Sequence, residues 1–391
     1  MKHLFPEARD AKRTALLQAV DNVRATLTAH ADASETLRTL PEPCVQALTE
    51  TGLFAMKCPA ELGGAEADPV TQLEVIEAVT YIDPSAGWSL MIGNGSIALV
   101  GAFLPDDAIT QIFTGERLPR TAGSFMPGNA VPVEGGYRVT GRWSWGSGVR
   151  HAEWVAAQAL VMSAGDNSPQ PRMMVFPSAR AEIDDNWHVA GLKGTGSCDF
   201  SVSDLFVPEA FTFDARTFEP QRGGPLYHLG LPGLVINEHV GFALGVGRRA
   251  LDEIIGLAKS KRRGYAKQVS LADRQVFQRV IAEADLRLRA ARHLMLEVFE
   301  RAWQTVCSGR SPEPQLQAEM RSAATFATDV ALEVTSTAFR YGGGSTVWLD
   351  SILQRCLRDL YVGASHLMVS DSAYEHYGRA LLGFTDVDPM G

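Results

Sequence analysis

Residues 141–154 read GRWSWGSGVRHAEW, a regular alternation that runs into a glycine-rich end. The period of two predicts a β-strand with one aromatic face. The predicted strand ends at Gly146-Ser147-Gly148. Because glycine has no Cβ, the backbone of this segment can approach a neighbouring group closely, and Ser147 presents one hydroxyl to it. This suits a flat ring with a hydrogen-bonding edge, and an ordinary amphipathic strand followed by a turn fits the same residues. The large or apolar side chains of the predicted face are Tyr137, Val139, Trp143 and Trp145.

Helical sequence precedes this strand, from about residue 11 to residue 113. It is rich in Ala, Leu, Glu and Thr. A helix is predicted over residues 69–81 and ends at Asp83-Pro84, because the residue before a proline disfavours helical backbone. No stretch approaches the length of an uncharged membrane span, so we expect no membrane helix.

Short runs with alternation or β-branched residues then follow at 136–145, 154–162, 172–176 and 199–207. Clusters of Gly, Asn, Asp, Ser and Pro separate them, which is typical of turns between strands. The middle third is therefore predicted to be an antiparallel β domain.

Helical periodicity returns from about residue 231 to residue 383. Breaks near 262–264, 308–312 and 342–344 leave three or four long helices, which predict an antiparallel bundle. The fold class is thus α+β and mainly α, with an N-terminal helical domain at 1–116, a β domain at 117–225 and a C-terminal four-helix bundle at 226–391. An apolar stripe at spacings of three and four marks one bundle helix: Val280, Ala284, Leu288, Ala291, Met295 and Val298.

The composition is that of a globular protein able to bury a large core: 391 residues, of which 46% are hydrophobic. A net charge of -9 argues against a nucleic-acid surface. The basic run at 259–263 is either a solvated helix end or a contact to a cofactor phosphate. Five scattered cysteines, without a Cys-x-x-Cys pair or metal-ligand spacing, indicate reduced thiols in the cytoplasm and no metal site.

This order of helices, strands and helices resembles the acyl-CoA dehydrogenase fold, in which flavin binds between the last two domains. Within that superfamily the chain looks more like the oxygenase components of two-component flavin monooxygenases (group D), which receive reduced flavin from a separate NAD(P)H-dependent reductase. The resemblance covers nearly the whole chain. Three stretches carry it: residues 135–148, residues 191–199 followed by Leu205-Phe-Val-Pro208, and residues 357–366 with Gly378-Arg379.

The resemblance implies roles for the strand end. Trp145 matches the aromatic residue that packs on the isoalloxazine, Ser147 matches the hydroxyl that bonds to flavin N5, and Gly148 lies beside them. In a monooxygenase, a group fixed at N5 can hold the proton whose loss would expel peroxide from a C4a-hydroperoxyflavin.

The resemblance also implies that the base of a dehydrogenase is missing. Acyl-CoA dehydrogenases use a glutamate to abstract an α-proton, and this glutamate usually follows an Arg-Asp pair in the C-terminal bundle. Counting from Arg358-Asp359 places Leu367 at the position of that glutamate. A second known location falls on Asn237. Glu238 is one residue away from it, so a shift of one residue in the alignment would restore a base.

His366 is the candidate for chemistry. Arg355, Asp359, Val362 and His366 recur at spacings of four, three and four, which predicts one helix face, and the resemblance turns that face toward the flavin. An imidazole that titrates near neutrality can donate to a nascent peroxide or take a proton from a substrate. The alternative is a buried histidine with a structural hydrogen bond.

The remaining candidates follow from the resemblance and stay open. Thr195 and Ser197 lie in a Gly-Thr-Gly-Ser run that is either near flavin or a tight turn. Arg263, Gly343 and Gly344 match positions near a neighbouring subunit's cofactor. The candidate substrate-pocket residues are Trp88, Phe125, His151 and Tyr341.

The leading hypothesis is a flavin monooxygenase, the oxygenase component, which binds reduced FMN or FAD, reacts with O2 and oxygenates a small aromatic molecule. We expect a homotetramer, a dimer of dimers. One alternative is an FAD-dependent acyl-CoA dehydrogenase with Glu238 as the base, and another is a flavin-binding homologue without turnover.

Overall fold

The computed structural model describes residues 5–162, 168–217, 219–263 and 269–388, and of Arg263 it describes only the backbone. The described residues form ten α-helices and a seven-stranded sheet in the predicted order of helices, strands and helices. The mainly helical α+β fold is therefore confirmed. The described residues cluster into two compact units, the first comprising Met1–Asp68, Trp88–Val189 and Lys193–Leu231, and the second Pro69–Gly87, Ala190–Leu192 and Pro232–Gly391. The three-domain boundaries stay a prediction.

The first unit begins with helices α1 (Arg9–Leu37) and α2 (Glu42–Glu50). Helix α1 buries one face, with Leu16, Val20 and Leu27 at helical spacing. Two further helices are α4 (Pro84–Phe103), from Trp88 onward, and α5 (Asp106–Ile112).

Helix α4 corrects one expectation. Its 20 residues include no charged side chain, so this helix is long and apolar enough to cross a membrane, contrary to the sequence-based expectation. In the fold, 89% of its most apolar window is buried. Burial of this extent is typical of a core helix, which needs the same composition as a membrane span because it is surrounded by apolar side chains.

The sheet of the first unit is mixed rather than purely antiparallel. Strand β2 ends beside the start of β1, and residues 147–153 then cross to the other side of β1. Strand β3 therefore runs parallel to β1. The other neighbouring pairs of strands are antiparallel. The spatial order is β5-β6-β2-β1-β3-β4-β7. The strands are β1 (Thr121–Val133), β2 (Gly136–Gly146), β3 (Trp154–Val161), β4 (Gln170–Pro177), β5 (Glu182–Ile183), β6 (Cys198–Pro208) and β7 (Thr212–Asp214).

Trp143 is the centre of the sheet's core. Its indole is fully buried, stacks on Phe200 at 5.3 Å between ring centroids, and donates from Nε1 to the carbonyl oxygen of Gln158 at 2.9 Å. Gly128 and Gly141 make room for the ring, because a Cβ at either residue would lie 2.6 or 2.7 Å from an indole carbon. Part of the glycine content of these strands thus serves packing.

The second unit is helical. Its long helices are those that the sequence predicts, and the stripe of α7 is confirmed, since Ala284, Leu288, Ala291, Met295 and Val298 are buried. A short pair of strands, β8 (Arg262–Arg263) and β9 (Val269–Ser270), follows the first long helix. The helices are α3 (Pro69–Ile82), α6 (Gly230–Ser260), α7 (Gln275–Cys307), α8 (Pro314–Gly342), α9 (Ile352–Ala364) and α10 (Ser372–Leu381).

Candidate active site

Ser147 belongs to a buried chain of hydrogen bonds in the first unit. Its Oγ accepts from Trp88 Nε1 at 3.1 Å and lies 2.7 Å from Ser197 Oγ. Ser197 Oγ in turn lies 2.7 Å from Thr195 Oγ1. All four side chains are buried. We call Trp88, Ser147, Thr195 and Ser197 the Ser147 cluster, and it joins three residues that sequence reasoning had placed near flavin to one that it had placed in the substrate pocket.

Backbone contacts hold the two loops of the Ser147 cluster together. Gly148 N donates to the carbonyl oxygen of Thr195 at 3.0 Å, and the positive φ of Gly148 (74°) suits glycine. Gly196, between Thr195 and Ser197, has φ of 55°, and a Cβ on it would make a tight contact of 3.0 Å with Thr39 Oγ1. The positive φ of Gly148 and Gly196 thus lets the two loops of the cluster turn sharply beside each other.

Helix α4 places Trp88 against these loops. Asn94 Nδ2 donates to the carbonyl oxygen of Leu53 at 2.9 Å, and Ser96 Oγ donates to that of Ala122 at 2.8 Å. These buried side-chain bonds attach α4 to the sheet and to the preceding loop, so the indole of Trp88 has a defined position.

Trp145 does not share the face of Trp143, and this prediction is wrong. Strand β2 carries an extra residue between Trp143 and Gly146 relative to β6, which is a β-bulge. Trp145 adopts φ of 61°, in the left-handed region, and its side chain is 62% exposed. The bulge turns Trp145 away from the core, so strict alternation ends at Trp143.

His151 lies in a one-turn 3-10 helix that follows the glycine turn. Its ring packs near Phe54 at 5.9 Å, and a Cβ on Gly148 would lie 2.9 Å from its Nε2. Burial, and next the charge of Arg120, lower the pKa of His151 to about 4, so the imidazole is neutral at pH 7. Nδ1 is buried without a hydrogen-bond partner in the described chain.

The other two candidate pocket residues lie in different units. Phe125 is an exposed residue of β1 at the irregularity between Ser124 and Gly128. Tyr341, near the end of α8, packs on Phe277 at 5.3 Å in the second unit and lines a cleft of about 460 Å³ between α7 and α8.

His366 lies beyond the end of α9, so the predicted helix face is wrong at this position. The helix ends at Ala364, and His366 has an extended backbone with φ of −72° and ψ of 138°. Its Nδ1 accepts from Met368 N at 3.3 Å, and its ring contacts that of His239 at 4.4 Å between centroids. Burial lowers the pKa of His366 to about 4, so it does not titrate near neutrality as predicted.

The Arg358-Asp359 pair holds a neighbouring segment within the second unit. Asp359 accepts from Leu192 N at 2.6 Å, and Arg358 Nη1 donates to the carbonyl oxygen of Ala190 at 2.6 Å. A Cβ on Gly191 would lie 2.2 Å from the carbonyl oxygen of Arg358, so only glycine permits this contact. Two of the three stretches that carry the resemblance thus meet here.

The positions of the dehydrogenase base hold other residues. Leu367 is 71% exposed and has no acid–base chemistry. Asn237 Nδ2 donates to the carbonyl oxygen of Pro69 at 3.1 Å and to Gln72 Oε1 at 2.8 Å, so its amide attaches α6 to α3. Glu238 is buried in the first third of α6.

The candidates for a neighbouring subunit's cofactor lie at helix ends. Gly343 follows α8 with φ of 63°, a conformation that favours glycine, and no atom lies within 4 Å of a Cβ built on Gly344. The backbone of Arg263 lies in β8, and its side chain is outside the described part of the structure.

Sequence reasoning missed His239 and Arg321. His239 contacts His366, and Arg321 is a fully buried residue of α8 that hydrogen-bonds to the segment after His366. Arg321 shares one face of α8 with Thr325 and Thr328, and all three are buried. A charged residue on a helix face that packs inward is the feature that could have identified it. Across the described residues, no three His, Cys, Asp or Glu side chains are placed to hold a metal ion.

Comparison with known proteins fits this architecture. The acyl-CoA dehydrogenase N-terminal domain model matches residues 10–103, and the acyl-CoA dehydrogenase C-terminal domain model matches residues 238–371. The solved structure of the HsaA monooxygenase from M. tuberculosis superposes with a TM-score of 0.88 at 25% identity, covering 97% of this chain and 100% of that one. The fold is that of the acyl-CoA dehydrogenases.

Two relatives indicate which branch of the acyl-CoA dehydrogenase superfamily the chain belongs to. Indole-3-acetate monooxygenase from Pseudomonas putida is 33% identical over 88% of this chain and 88% of its own length. The pigment production hydroxylase from Rhodococcus sp. (strain ATCC 21145) is 30% identical over 97% of this chain and 100% of its own length. The chain belongs to the flavin-dependent monooxygenase oxygenase components, a branch of the acyl-CoA dehydrogenase superfamily, and is thus an oxidoreductase.

Proposed function

We propose that this oxygenase component uses reduced FMN or FAD and O2 to insert one oxygen atom into a small aromatic molecule, with Ser147 bonded to flavin N5. A bound reduced flavin supplies the electrons that activate O2. An aromatic substrate is supported by the name of the 33% identical relative, which acts on indole-3-acetate. The observation that carries the role of Ser147 is its buried hydrogen-bond chain beside an exposed indole.

The residues present fit a flavin. Trp145 is held in a left-handed conformation that costs about 1–2 kcal/mol for a non-glycine residue, and its ring is exposed. Such a ring offers an apolar face to a flat ligand. The site needs no metal for this role, because the donors are a hydroxyl and an aromatic surface.

The hydroxyl chain defines what Ser147 can do. A hydroxyl has one proton to donate and two lone pairs. Trp88 Nε1 occupies one lone pair, and when the Ser147 proton points to Ser197, the second lone pair can accept the N5–H of a reduced flavin. Ser147 would then hold the proton at N5, and Trp88 and Ser197 would keep its hydroxyl in that orientation.

His366 is proposed to act as a neutral hydrogen-bond donor. Because Nδ1 accepts from Met368 N, the proton of the neutral imidazole is on Nε2. With a pKa lowered to about 4 by burial, His366 is neutral at pH 7. Its proposed partner is the oxygen that reacts, or a hydroxyl of the substrate.

The oxygenase is proposed to be a cytoplasmic homotetramer and to work with a separate NAD(P)H-dependent flavin reductase. Oxygenase components of this family take reduced flavin from such a reductase, which supports the proposed reductase partner. Exposed large apolar side chains on the second unit, among them Val347, Trp348 and Leu349, support subunit contacts. Arg263, Gly343 and Gly344 are proposed to contact the cofactor of a neighbouring subunit.

The defining experiment supplies reduced flavin from a generic NADH-dependent reductase under ¹⁸O2, with indole-3-acetate, resorcinol and simple phenols as substrates. We expect one ¹⁸O atom per product molecule. Titration of the protein with reduced FMN and reduced FAD under anaerobic conditions gives the preferred flavin. Bleaching of oxidised flavin by an acyl-CoA thioester without O2 would instead indicate a dehydrogenase, and full recovery of O2 as hydrogen peroxide would indicate a homologue without turnover.

Replacement of Ser147 tests the N5 contact. In Ser147→Ala we expect the rate of hydrogen peroxide release to rise about 10-fold to 100-fold, because the fixed acceptor at N5 is lost. Ser147→Thr retains a hydroxyl and should be much less affected. Trp88→Phe, which removes the indole N–H donor together with part of the buried ring, should give an intermediate release. Unchanged coupling in Ser147→Ala would remove this residue from the reaction.

A further inference from the structure

Arg321 is a buried arginine of α8 whose side chain is 1% exposed. Its Nη2 donates to the carbonyl oxygen of Leu367 at 3.0 Å, and its Nε donates to that of Met368 at 3.2 Å. Nη2 also donates to Ser370 Oγ at 3.3 Å and to Ser372 Oγ at 3.2 Å. These four acceptors all lie in the six residues that follow His366.

Such an arginine is costly to bury. Desolvation disfavours its charge and lowers the pKa of Arg321, although a guanidinium remains protonated in proteins. Charge-assisted hydrogen bonds to several acceptors offset that cost. The planar guanidinium directs its N–H groups in fixed directions, so it imposes a geometry on the acceptors that a flexible ammonium would not.

One peptide group connects Arg321 to His366. The peptide between Leu367 and Met368 has its carbonyl oxygen bonded to Arg321 Nη2 and its N–H bonded to His366 Nδ1. A cation at the oxygen end polarises the peptide and strengthens the N–H as a donor. The guanidinium therefore acts on the imidazole through a single peptide.

We propose that Arg321 is a positioning residue for His366, which fixes the Leu367–Met368 peptide and thereby keeps the imidazole in its Nε2–H form against His239. This inference rests on the proposed role of His366. In this proposal a buried cation on α8 sets the tautomer of His366 through one intervening peptide group.

The test follows His366 itself and requires no flavin. Hydrogen–deuterium exchange at histidine Cε1, read by mass spectrometry across a pH series, gives the pKa of each histidine, and carbethoxylation rates report the free imidazole lone pair. In Arg321→Met we expect the pKa of His366 to rise by about one pH unit or more and its carbethoxylation to accelerate several-fold, because Nδ1 is released. The exposed His293 serves as an internal reference.

Matched variants separate positioning from folding. Arg340→Met removes an exposed arginine of the same helix and should leave both readouts of His366 unchanged. Arg321→Lys keeps the charge but not the fixed donor geometry, so a smaller shift in the same direction is expected, and this variant carries the test if Arg321→Met does not fold. A folded Arg321 variant with wild-type exchange and carbethoxylation of His366 would overturn the inference.

Turnover completes the comparison. If His366 serves the reaction, Arg321→Met should lower kcat/KM about tenfold, and the effect should not add to that of His366→Ala. If His366→Ala leaves turnover unchanged while the His366 readouts still shift in Arg321→Met, the proposed role of His366 fails and the positioning by Arg321 stands.

Discussion

At the scale of one residue, the backbone conformation of Trp145 reverses the burial that the strand alternation predicts for it. Trp145 is two residues after Trp143, so an alternating strand would place both side chains on one face, yet Trp143 is the centre of the core and Trp145 is exposed. The bulge and the positive φ at Trp145 account for the difference. An exposed aromatic ring kept in a strained conformation is typical of a ligand contact rather than of packing.

The strain at Trp145 predicts an inverted order of variants. Glycine in a strand is ordinarily less stable than alanine by about 0.5–1 kcal/mol. At Trp145 we expect Trp145→Gly to be more stable than Trp145→Ala by about 1 kcal/mol, since glycine adopts a positive φ without strain. Urea unfolding of both variants measures this. Ser144→Gly and Ser144→Ala, at the preceding residue, should show the ordinary order, and the same order at Trp145 would contradict the strain.

Two partly exposed histidines, His151 and His366, predict how stability depends on pH. Burial lowers the pKa of His151 and His366 from 6.5 to about 4, so the unfolded chain binds more protons between these values. Their contribution to stability is present above about pH 6.5 and is lost as the pH falls toward 4. Denaturant unfolding at several pH values should show this decline. In His151→Gln or His366→Gln the slope should decrease by up to about 1.4 kcal/mol per pH unit, and an unchanged slope would argue against a neutral imidazole in the folded protein.

At the scale of elements, glycines let α6 approach α3. A Cβ on Gly241 would lie 2.5 Å from the carbonyl oxygen of Leu73, and one on Gly245 would lie 2.6 Å from that of Glu77. These glycines are four residues apart and so share one face of α6. The close approach brings Asn237, on the same helix, within hydrogen-bonding distance of Pro69 and Gln72.

The close contact of α6 with α3 predicts that glycine-to-alanine substitutions at two positions of α6 have opposite effects on stability. Gly245→Ala should destabilise the protein by about 1–3 kcal/mol, because the new methyl group overlaps backbone and α3 has to move. Gly256→Ala, on an open face of α6 with no atom within 4 Å, should stabilise it by about 0.5–1 kcal/mol through helix propensity. Thermal melting of the two variants measures the difference. Equal effects would mean that the helices do not pack this closely.

At the scale of the whole molecule, the second unit carries several highly exposed large apolar side chains. Large apolar side chains with 60% exposure or more are found on α7 and after α8: Val276, Leu286, Val347, Trp348 and Leu349. Exposed apolar residues in series are typical of a subunit contact. The surface therefore agrees with the proposed tetramer and suggests where to disrupt it.

Light scattering after size-exclusion chromatography tests the assembly. We expect a mass close to four times the chain mass of 42.4 kDa. Replacing both Trp348 and Leu349 with Asp should lower that mass, because charges cannot be buried in an apolar contact. Thr337→Asp, on α8 and outside this segment, is the comparison. A wild-type protein that elutes as a monomer would refute the tetramer.

The amino-acid sequence by itself determined the order of helices and strands, the apolar stripe of α7 and the ends of the long helices, because these depend on periodicity and on local breakers such as proline and glycine. It also indicated Ser147, Thr195 and Ser197 as candidates through their motifs. The parallel pairing of β1 with β3, the rotation of Trp145, the displacement of His366 beyond α9 and the burial of α4 depend on contacts between distant segments. Only the tertiary structure decided these, as it decided that Trp88 bonds to Ser147 and Arg321 to the peptide beside His366, because hydrogen bonds across tens of residues leave no periodic trace in the chain.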